Sequence, residues 1–169
     1  MRGPELVRLL PEILGRTYGT GSGTPLAAMF ETMATLLDPA DRRLKDLDAW
    51  FDPYRAPDGM LPYLAACVDL GWLPTRADAQ GEGLTTERLR SLVAQAPGLA
   101  AARGTGAGLQ RFLAIALDQP DIRVLDTDPE RPFHVVVELP KAAEGERRLA
   151  EVIVRNEKPV HLTHEVRVT

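Results

Sequence analysis

The stretch of this chain that most resembles a chemical site is the glycine-rich segment Arg103-Gly104-Thr105-Gly106-Ala107-Gly108-Leu109. Glycine clusters can hold a phosphate group, because their backbone N–H groups point at the ligand where a helix begins. Such loops follow a β-strand, and the P-loop form ends in Lys followed by Ser or Thr. Here a helical pattern precedes the glycines, and Leu109 and Gln110 follow them. The sequence therefore favours a structural role over nucleotide binding.

The same segment has the residues expected at a corner between two helices. Arg103 is a cation suited to the negative end of a helix dipole, and Gly104 can adopt the left-handed conformation that closes a helix. Thr105 is a good N-cap for the next helix. That helix carries an apolar stripe at i, i+3, i+4, i+7 and i+8, formed by Leu109, Phe112, Leu113, Ala116 and Leu117. We predict a structural corner made of Arg103, Gly104, Thr105, Gly108 and Leu109.

The other reactive residue types form no catalytic pattern. His134, His161 and His164 lie in predicted strands, with no metal-ligand spacing such as His-Glu-x-x-His. Ser22 and Ser91 lie in a glycine linker and in a predicted helix, and neither has the surroundings of a nucleophile. The acidic residues between positions 46 and 52 are typical of a solvated helix face. We predict no catalytic, cofactor-binding or metal-binding residue, and no enzyme.

Composition excludes several kinds of partner. The net charge is −4 and no block of Lys or Arg is present, which argues against nucleic acid or an anionic membrane surface. Cys67 is the single cysteine, so the sequence predicts no disulfide framework and fits a reducing compartment. No apolar run approaches the roughly 20 residues that span a bilayer, and no signal-peptide pattern is present. We expect a soluble protein that is made in the cytoplasm.

The elements that position these residues begin with an arm over residues 1–23. Its apolar residues between positions 6 and 14 could form a short helix or an extended docking peptide. A Gly- and Ser-rich stretch at 19–23 has the composition of a flexible linker. The arm could be a lid on this chain or a segment that binds a partner, and the sequence leaves both open.

A long helix with a heptad pattern is predicted to follow the linker. Thr24 and Pro25 are a cap and a first helical residue. Apolar residues then recur with alternating spacings of four and three, a period that favours a coiled-coil seam: Leu26, Phe30, Met33, Leu37, Ala40, Leu44, Leu47 and Phe51. Pro39 should kink this helix or split it in two, with Asp38 capping the second half.

The seam has two interpretations. It could cover the helices of this chain itself, or it could bind partner helices. Because a seam of this length exceeds what a small domain needs, we favour a partner, bound by Leu26, Phe30, Met33, Leu37, Leu44, Leu47 and Phe51.

The C-terminal third changes to a two-residue period. Two alternating runs at 122–125 and 133–139 predict a hairpin, followed by a short amphipathic helix and a last strand with Val160, Leu162, Val166 and Val168. His164 shares the inward phase of that strand and should be at least partly buried. The predicted class is α+β, with an N-terminal helical bundle that contains the long kinked helix and a small β-β-α-β module. The predicted divisions are the arm at 1–23, a helical domain at 24–118 and the module at 119–169.

An ordered series of short motifs resembles one protein family. The series includes Leu37-Asp38-Pro39, Phe51-Asp52-Pro53, Gly71-Trp72, Arg103-Gly104-Thr105 with Gly108-Leu109, and Lys158-Pro159-Val160-His161. It is similar to the small baseplate wedge proteins of contractile phage tails and related injection systems, the gpI-like phage tail proteins. The resemblance covers about residues 24 to 165, and the glycine-rich arm and the segment near 80–83 depart from it.

The resemblance implies a structural part of a machine. In that family the small wedge subunit joins two copies of a larger wedge subunit through a helical core bundle. Neighbouring wedges close into a ring around the spike, so sheath-initiator and spike or hub proteins are further expected partners. The expected location is an assembled phage tail or injection particle. The alternatives are a helical adaptor or regulator that binds partner helices and, less favoured, a nucleotide-binding protein.

Overall fold

The computed structural model describes residues 8, 9, 11–18, 24–73, 83–126 and 131–169. The chain divides into two compact units, Met1–Ala49 and Trp50–Thr169. The predicted linker at 19–23 lies outside the described residues, as do most of the predicted loop at 75–83 and most of the hairpin turn at 126–132. The division of the sequence after residues 23 and 118 remains a prediction.

The first unit contains helices α1 (Glu12–Tyr18) and α2 (Pro25–Lys45), and the short helix α3 (Leu47–Phe51) crosses the boundary to the second unit. For that part of the arm the sequence predicts either a short helix or an extended peptide, and residues 12–18 form the helix. Thr24 caps α2, because its side chain accepts a hydrogen bond from the N–H of Ala27 at 3.2 Å and Pro25 occupies the first turn. This arrangement satisfies an otherwise unpaired donor at the start of the helix.

The long helix differs from the prediction in two respects. Of the kink and the split predicted at Pro39, the split is wrong, because the helix continues through that residue to Lys45, and the kink stays a prediction. Asp38 does not cap a second half, since its carboxylate pairs instead with Arg42 one turn later. The helix ends before Phe51, because Asp46 leaves the helical conformation and a separate helix begins at Leu47. One missing backbone donor does not end a helix whose neighbouring residues favour helix, such as Leu36, Leu37 and Ala40.

The second unit contains three helices, then a strand pair, a helix and a strand. A 3₁₀ turn at Asp58–Met60 leads into α4 (Leu61–Cys67), followed by α5 (Thr86–Ala101) and α6 (Gly106–Leu117). The remaining elements are β1 (Arg123–Leu125), β2 (His134–Leu139), a 3₁₀ turn at Lys141–Glu146, α7 (Arg147–Glu157) and β3 (Thr163–Val168). The predicted α+β class and the order β-β-α-β are confirmed.

The sheet has the strand order β1-β2-β3. β1 pairs antiparallel with β2, with Val124 opposite Val137, and β2 pairs parallel with β3, with Val137 opposite Val166. Because side chains alternate along a strand, these three valines share one face of the sheet. That face joins a hydrophobic core to which α4, α5, α6 and α7 also contribute, with Leu92, Leu113 and Ile153 fully buried.

The last strand begins later than predicted. Val160 is 99% exposed and precedes the strand, which starts at Thr163, so its assignment to the inward face was wrong. Pro159 accounts for the shift, because α7 ends before it and the chain turns at residues 160 and 161. His164 pairs with Val135 on the inward face and is half-buried, which confirms its predicted partial burial.

Candidate partner interface

The exposed apolar residues of the first unit lie mostly on α2 and define the candidate interface. We call this surface the α2 stripe; it consists of Leu26, Met29, Phe30, Met33, Leu36, Leu37 and Leu44. At about 100° per residue these seven positions fall within an arc of roughly 120°. Leu36 is 74% exposed and Leu44 is 66% exposed, whereas Phe30 at one edge of the arc is only 7% exposed. The described chain therefore leaves most of the stripe uncovered.

The covered face of α2 does not coincide with its apolar stripe. Ala27 and Phe30 are buried, and Ala34, Asp38 and Asp41 are half-buried. Their spacing of three and four residues defines a helix face whose centre is rotated by about 100° from the centre of the stripe. Phe30, which is buried, belongs to both faces, and Leu26 is the other stripe residue that is partly covered. The seam predicted from the heptads is thus largely separate from the face that the chain itself covers.

The structure places the predicted seam residues in different environments. Leu26 is half-buried and Phe30 is buried, while Met33, Leu37, Leu44, Leu47 and Phe51 are exposed. Sequence reasoning missed Met29 and Leu36, which are exposed on the same side of α2. A strict heptad template excludes these two positions, whereas an apolar arc drawn with the 3.6-residue helical period includes them.

Phe51 belongs to the second unit, where a firmly held loop follows it. Arg90 on α5 donates hydrogen bonds to the carbonyl oxygen of Ala56 at 2.8 Å and to the carboxylate of Asp58 at 2.6 Å. The carboxylate of Asp52 accepts from the N–H of Tyr54 at 2.8 Å. Phe51 and Tyr54 are therefore exposed aromatic side chains next to an anchored backbone. Exposed aromatic residues on rigid backbone are favourable contact points for a partner.

The glycine segment forms the corner between α5 and α6. Gly104 has a positive φ of 82°, a conformation that strains residues with a Cβ. Thr105 caps α6, because its hydroxyl accepts from the N–H of Gly108 at 3.0 Å and donates to the carbonyl oxygen of Ala102 at 2.7 Å. A Cβ added to Gly108 would lie 2.1 Å from that same oxygen. Leu109 is buried in the core, so the first turn of α6 packs directly against the end of α5.

Arg103 links the corner to two other elements. Its guanidinium donates to the carboxylate of Asp69 after α4 at 2.8 Å and to both carboxylate oxygens of Glu157 at the end of α7, at 3.1 and 3.2 Å. These hydrogen bonds raise the pKa of Arg103 above its ordinary value, and the hydrogen bond to Asp69 contributes most to the increase. The Glu157 side chain is only 8% exposed. Arg103 therefore neutralises a buried carboxylate and ties three helices together.

The two histidines of the paired strands β2 and β3 have polar or charged neighbours. Nδ1 of His134 lies 2.8 Å from the Thr163 hydroxyl across the β2–β3 pair. Burial is the main cause that lowers the pKa of His164, and the positive charge of Lys158 lowers it further. Within the described residues, no group of three or more His, Cys, Asp or Glu side chains could hold a metal ion. No described helix is both long enough and apolar enough to cross a bilayer.

One open groove of about 570 Å³ lies beside α5 and α6. It is lined by polar residues that include Glu87, Ser91, Gln95 and Asp118. None of the corner glycines lines this groove, and the N–H of Gly108 already donates to Thr105. The corner therefore lacks the free amide that a phosphate site would need at Gly108.

This fold and surface define a small α+β protein with an exposed apolar stripe on its long helix. Residues 23–161 match the family model described as phage tail protein (Tail_P2_I). The match covers most of the chain, so the protein belongs to this family and has a structural role in the tail. No curated protein matches the sequence significantly.

Proposed function

We propose that this protein is the small wedge subunit of the baseplate in a contractile tail or contractile injection system. Two copies of a larger wedge subunit contribute helices to a core bundle with α2, and neighbouring wedges complete a ring around the spike. The protein acts through assembly and carries out no reaction. Its family membership and the exposure of the α2 stripe support this proposal.

The exposed α2 stripe is the observation that carries the proposal. Monomeric proteins rarely leave a contiguous apolar surface of this kind in water, and such a patch usually marks a contact with another molecule. Burying each of Leu36, Leu37 and Leu44 against a partner contributes about 1.5 to 3 kcal/mol. Leu47 and Phe51 are exposed as well and supply additional apolar contacts beyond the end of α2.

Co-purification of the larger wedge subunit with tagged variants of this chain tests the proposal. Leu36→Asp and Leu37→Asp place a charge in the partner contact without disturbing a buried residue. Both should lose the larger subunit while retaining the circular dichroism spectrum and melting temperature of the wild type. Phe30→Asp is a poor test, because Phe30 is buried in the chain itself and its loss would also damage the fold.

Arg42→Ala and Asp46→Ala are the matched controls on the same segment. Both side chains are exposed, and the ion pair of Arg42 with Asp38 is solvated, so each change should leave co-purification intact. If Leu36→Asp and Leu37→Asp retain the larger subunit at the wild-type level, α2 does not contribute the core bundle contact. Equal loss in the control variants would instead indicate a general failure of the subunit.

A further inference from the structure

Strand β3 is hydrogen-bonded to β2 along one edge, and among the described residues no strand pairs with its other, open edge. The N–H of Thr163 donates to the carbonyl oxygen of Phe133, and the N–H of Thr169 donates to that of Leu139, both at 2.9 Å. Backbone groups alternate in direction along a strand, so the odd-numbered residues of β3 point toward β2. His164, Val166 and Val168 therefore direct their N–H and C=O groups away from the sheet.

No other described strand pairs with this open edge, because β3 is the last strand in the order β1-β2-β3. β3 spans six residues and contains neither proline nor lysine, two residues that commonly block edge pairing. An open edge of this length is a ready template for another strand.

The sequence of β3 is complementary to itself in the antiparallel direction. When Val166 lies opposite Val166 of a second copy, Glu165 lies opposite Arg167 of that copy and Arg167 lies opposite Glu165. In the same register His164 lies opposite Val168 on the inward face. Opposite charges directly across an antiparallel pair are stabilising, and two contacts related by a twofold axis are both made.

Charge also excludes the neighbouring registers. In an alternative register the backbone groups that point away from each sheet must still face one another. The two nearest registers that meet this condition are centred on Glu165 and on Arg167. One places Glu165 opposite Glu165, and the other places Arg167 opposite Arg167, so like charges face each other in both. Only the register centred on Val166 combines complete backbone pairing with complementary charge.

We propose that β3 pairs antiparallel with β3 of a second copy of this chain, in the register centred on Val166, and joins two three-stranded sheets into one. The inference goes beyond the proposed function, because it does not involve the α2 stripe or the larger wedge subunit. A contact of one strand pair belongs to the smallest and most transient interfaces, so we expect a weak dimer that forms at high protein concentration.

Residue-resolved hydrogen exchange of the full chain, from about 10 µM to about 1 mM, tests this dimer over the range of transient association. The amides of Val166 and Val168 face the open edge. For a weak dimer with a Kd of about 0.1 to 1 mM they should exchange about two- to fourfold more slowly at the higher concentration, because only the monomer exposes them. Those of Glu165 and Arg167 face β2 and should be protected at every concentration. Since the readout belongs to single amides, association through α2 does not affect it. Exchange of Val166 and Val168 that does not change with concentration would overturn the proposal.

Charge variants give the matched test. Glu165→Arg and Arg167→Glu each place like charges opposite one another in the dimer. In the single chain both break the exposed pair of Glu165 with Arg167, and Glu165→Arg also removes the contact of Glu165 with His134. Each variant alone should lose the concentration-dependent protection, and an equimolar mixture of the two should regain it. Protection that persists in the single variants, or that fails to return on mixing, contradicts the pairing. Protection that appears only when another tail protein is added would assign the edge to that protein and overturn the proposal.

Discussion

Gly108→Ala should destabilise the protein, although glycine to alanine changes inside helices usually do the opposite. Gly108 is in the first turn of α6, where alanine is ordinarily favoured by about 0.5 to 1 kcal/mol. At this position the new Cβ would lie 2.1 Å from the carbonyl oxygen and 2.8 Å from the carbonyl carbon of Ala102. Both atoms belong to the backbone, so no rotation of a side chain can relieve the overlap.

The expected magnitude follows from these two opposing contributions. Forcing an extra methyl group into a packed region typically costs about 1 to 3 kcal/mol. Moving α6 away from Ala102 would also lengthen the hydrogen bonds of Thr105, which join the same two segments. We expect a net loss of about 1 to 2 kcal/mol in the free energy of unfolding. For a chain of this size the melting temperature then falls by about 2 to 8 °C.

Thermal and urea unfolding, followed by circular dichroism, measure the effect. Gly145→Ala is the matched control, because a Cβ added at Gly145 meets no atom within 4 Å and its φ is not positive. The control should melt at the wild-type temperature or slightly above. If Gly108→Ala is as stable as Gly145→Ala, the close approach of α6 to Ala102 is wrong, and with it our account of the corner.

Three further changes examine individual contacts. Thr105→Ala should lower the free energy of unfolding by about 1 kcal/mol, whereas Thr105→Ser retains the capping hydroxyl and should lose much less; equal urea midpoints for the two would contradict the cap. Arg103→Gln leaves the carboxylate of Glu157 without its cation and should cost about 1 to 3 kcal/mol, while Arg167→Gln breaks an exposed pair and should be nearly neutral in the same urea titration. Because burial lowers the pKa of His164 in the folded state, the unfolded state binds the proton more readily. Stability should therefore decrease as the pH falls through the ordinary histidine value of about 6.5, and His164→Gln should flatten that slope in unfolding measured from pH 8 to 5.

The corner and the C-terminal topology could be predicted because short-range rules determine them. A left-handed Gly104 and a capping Thr105 depend on a few neighbouring residues, and the structure shows both. The two-residue period of 133–139 similarly identifies β2. The contact of Gly108 with Ala102 was not foreseen, since it depends on how closely two helices approach one another.

The long helix shows where local rules fail. Pro39 was expected to kink or split it. The split is wrong, because the favourable neighbours keep α2 helical through the proline, and the kink stays a prediction. Sequence periodicity identified most of the apolar stripe but could not say which side of α2 the chain itself would cover. That choice depends on tertiary packing, and it is why Phe30 is buried while Leu36 is exposed.

Cysteine accessibility on α2 tests the central claim most directly. In a Cys67→Ser background, which removes the native exposed thiol, single cysteines replace Leu36, Leu44 and, as the control on the far side of the helix, Glu31. Alkylation is then compared between the purified subunit and the assembled tail. We predict that the cysteines at positions 36 and 44 react in the free subunit and are protected in the tail, while the cysteine at position 31 stays more reactive than both. Equal alkylation at positions 36 and 44 in both states would show that the assembled tail leaves the α2 stripe uncovered, which contradicts a core bundle built on this helix.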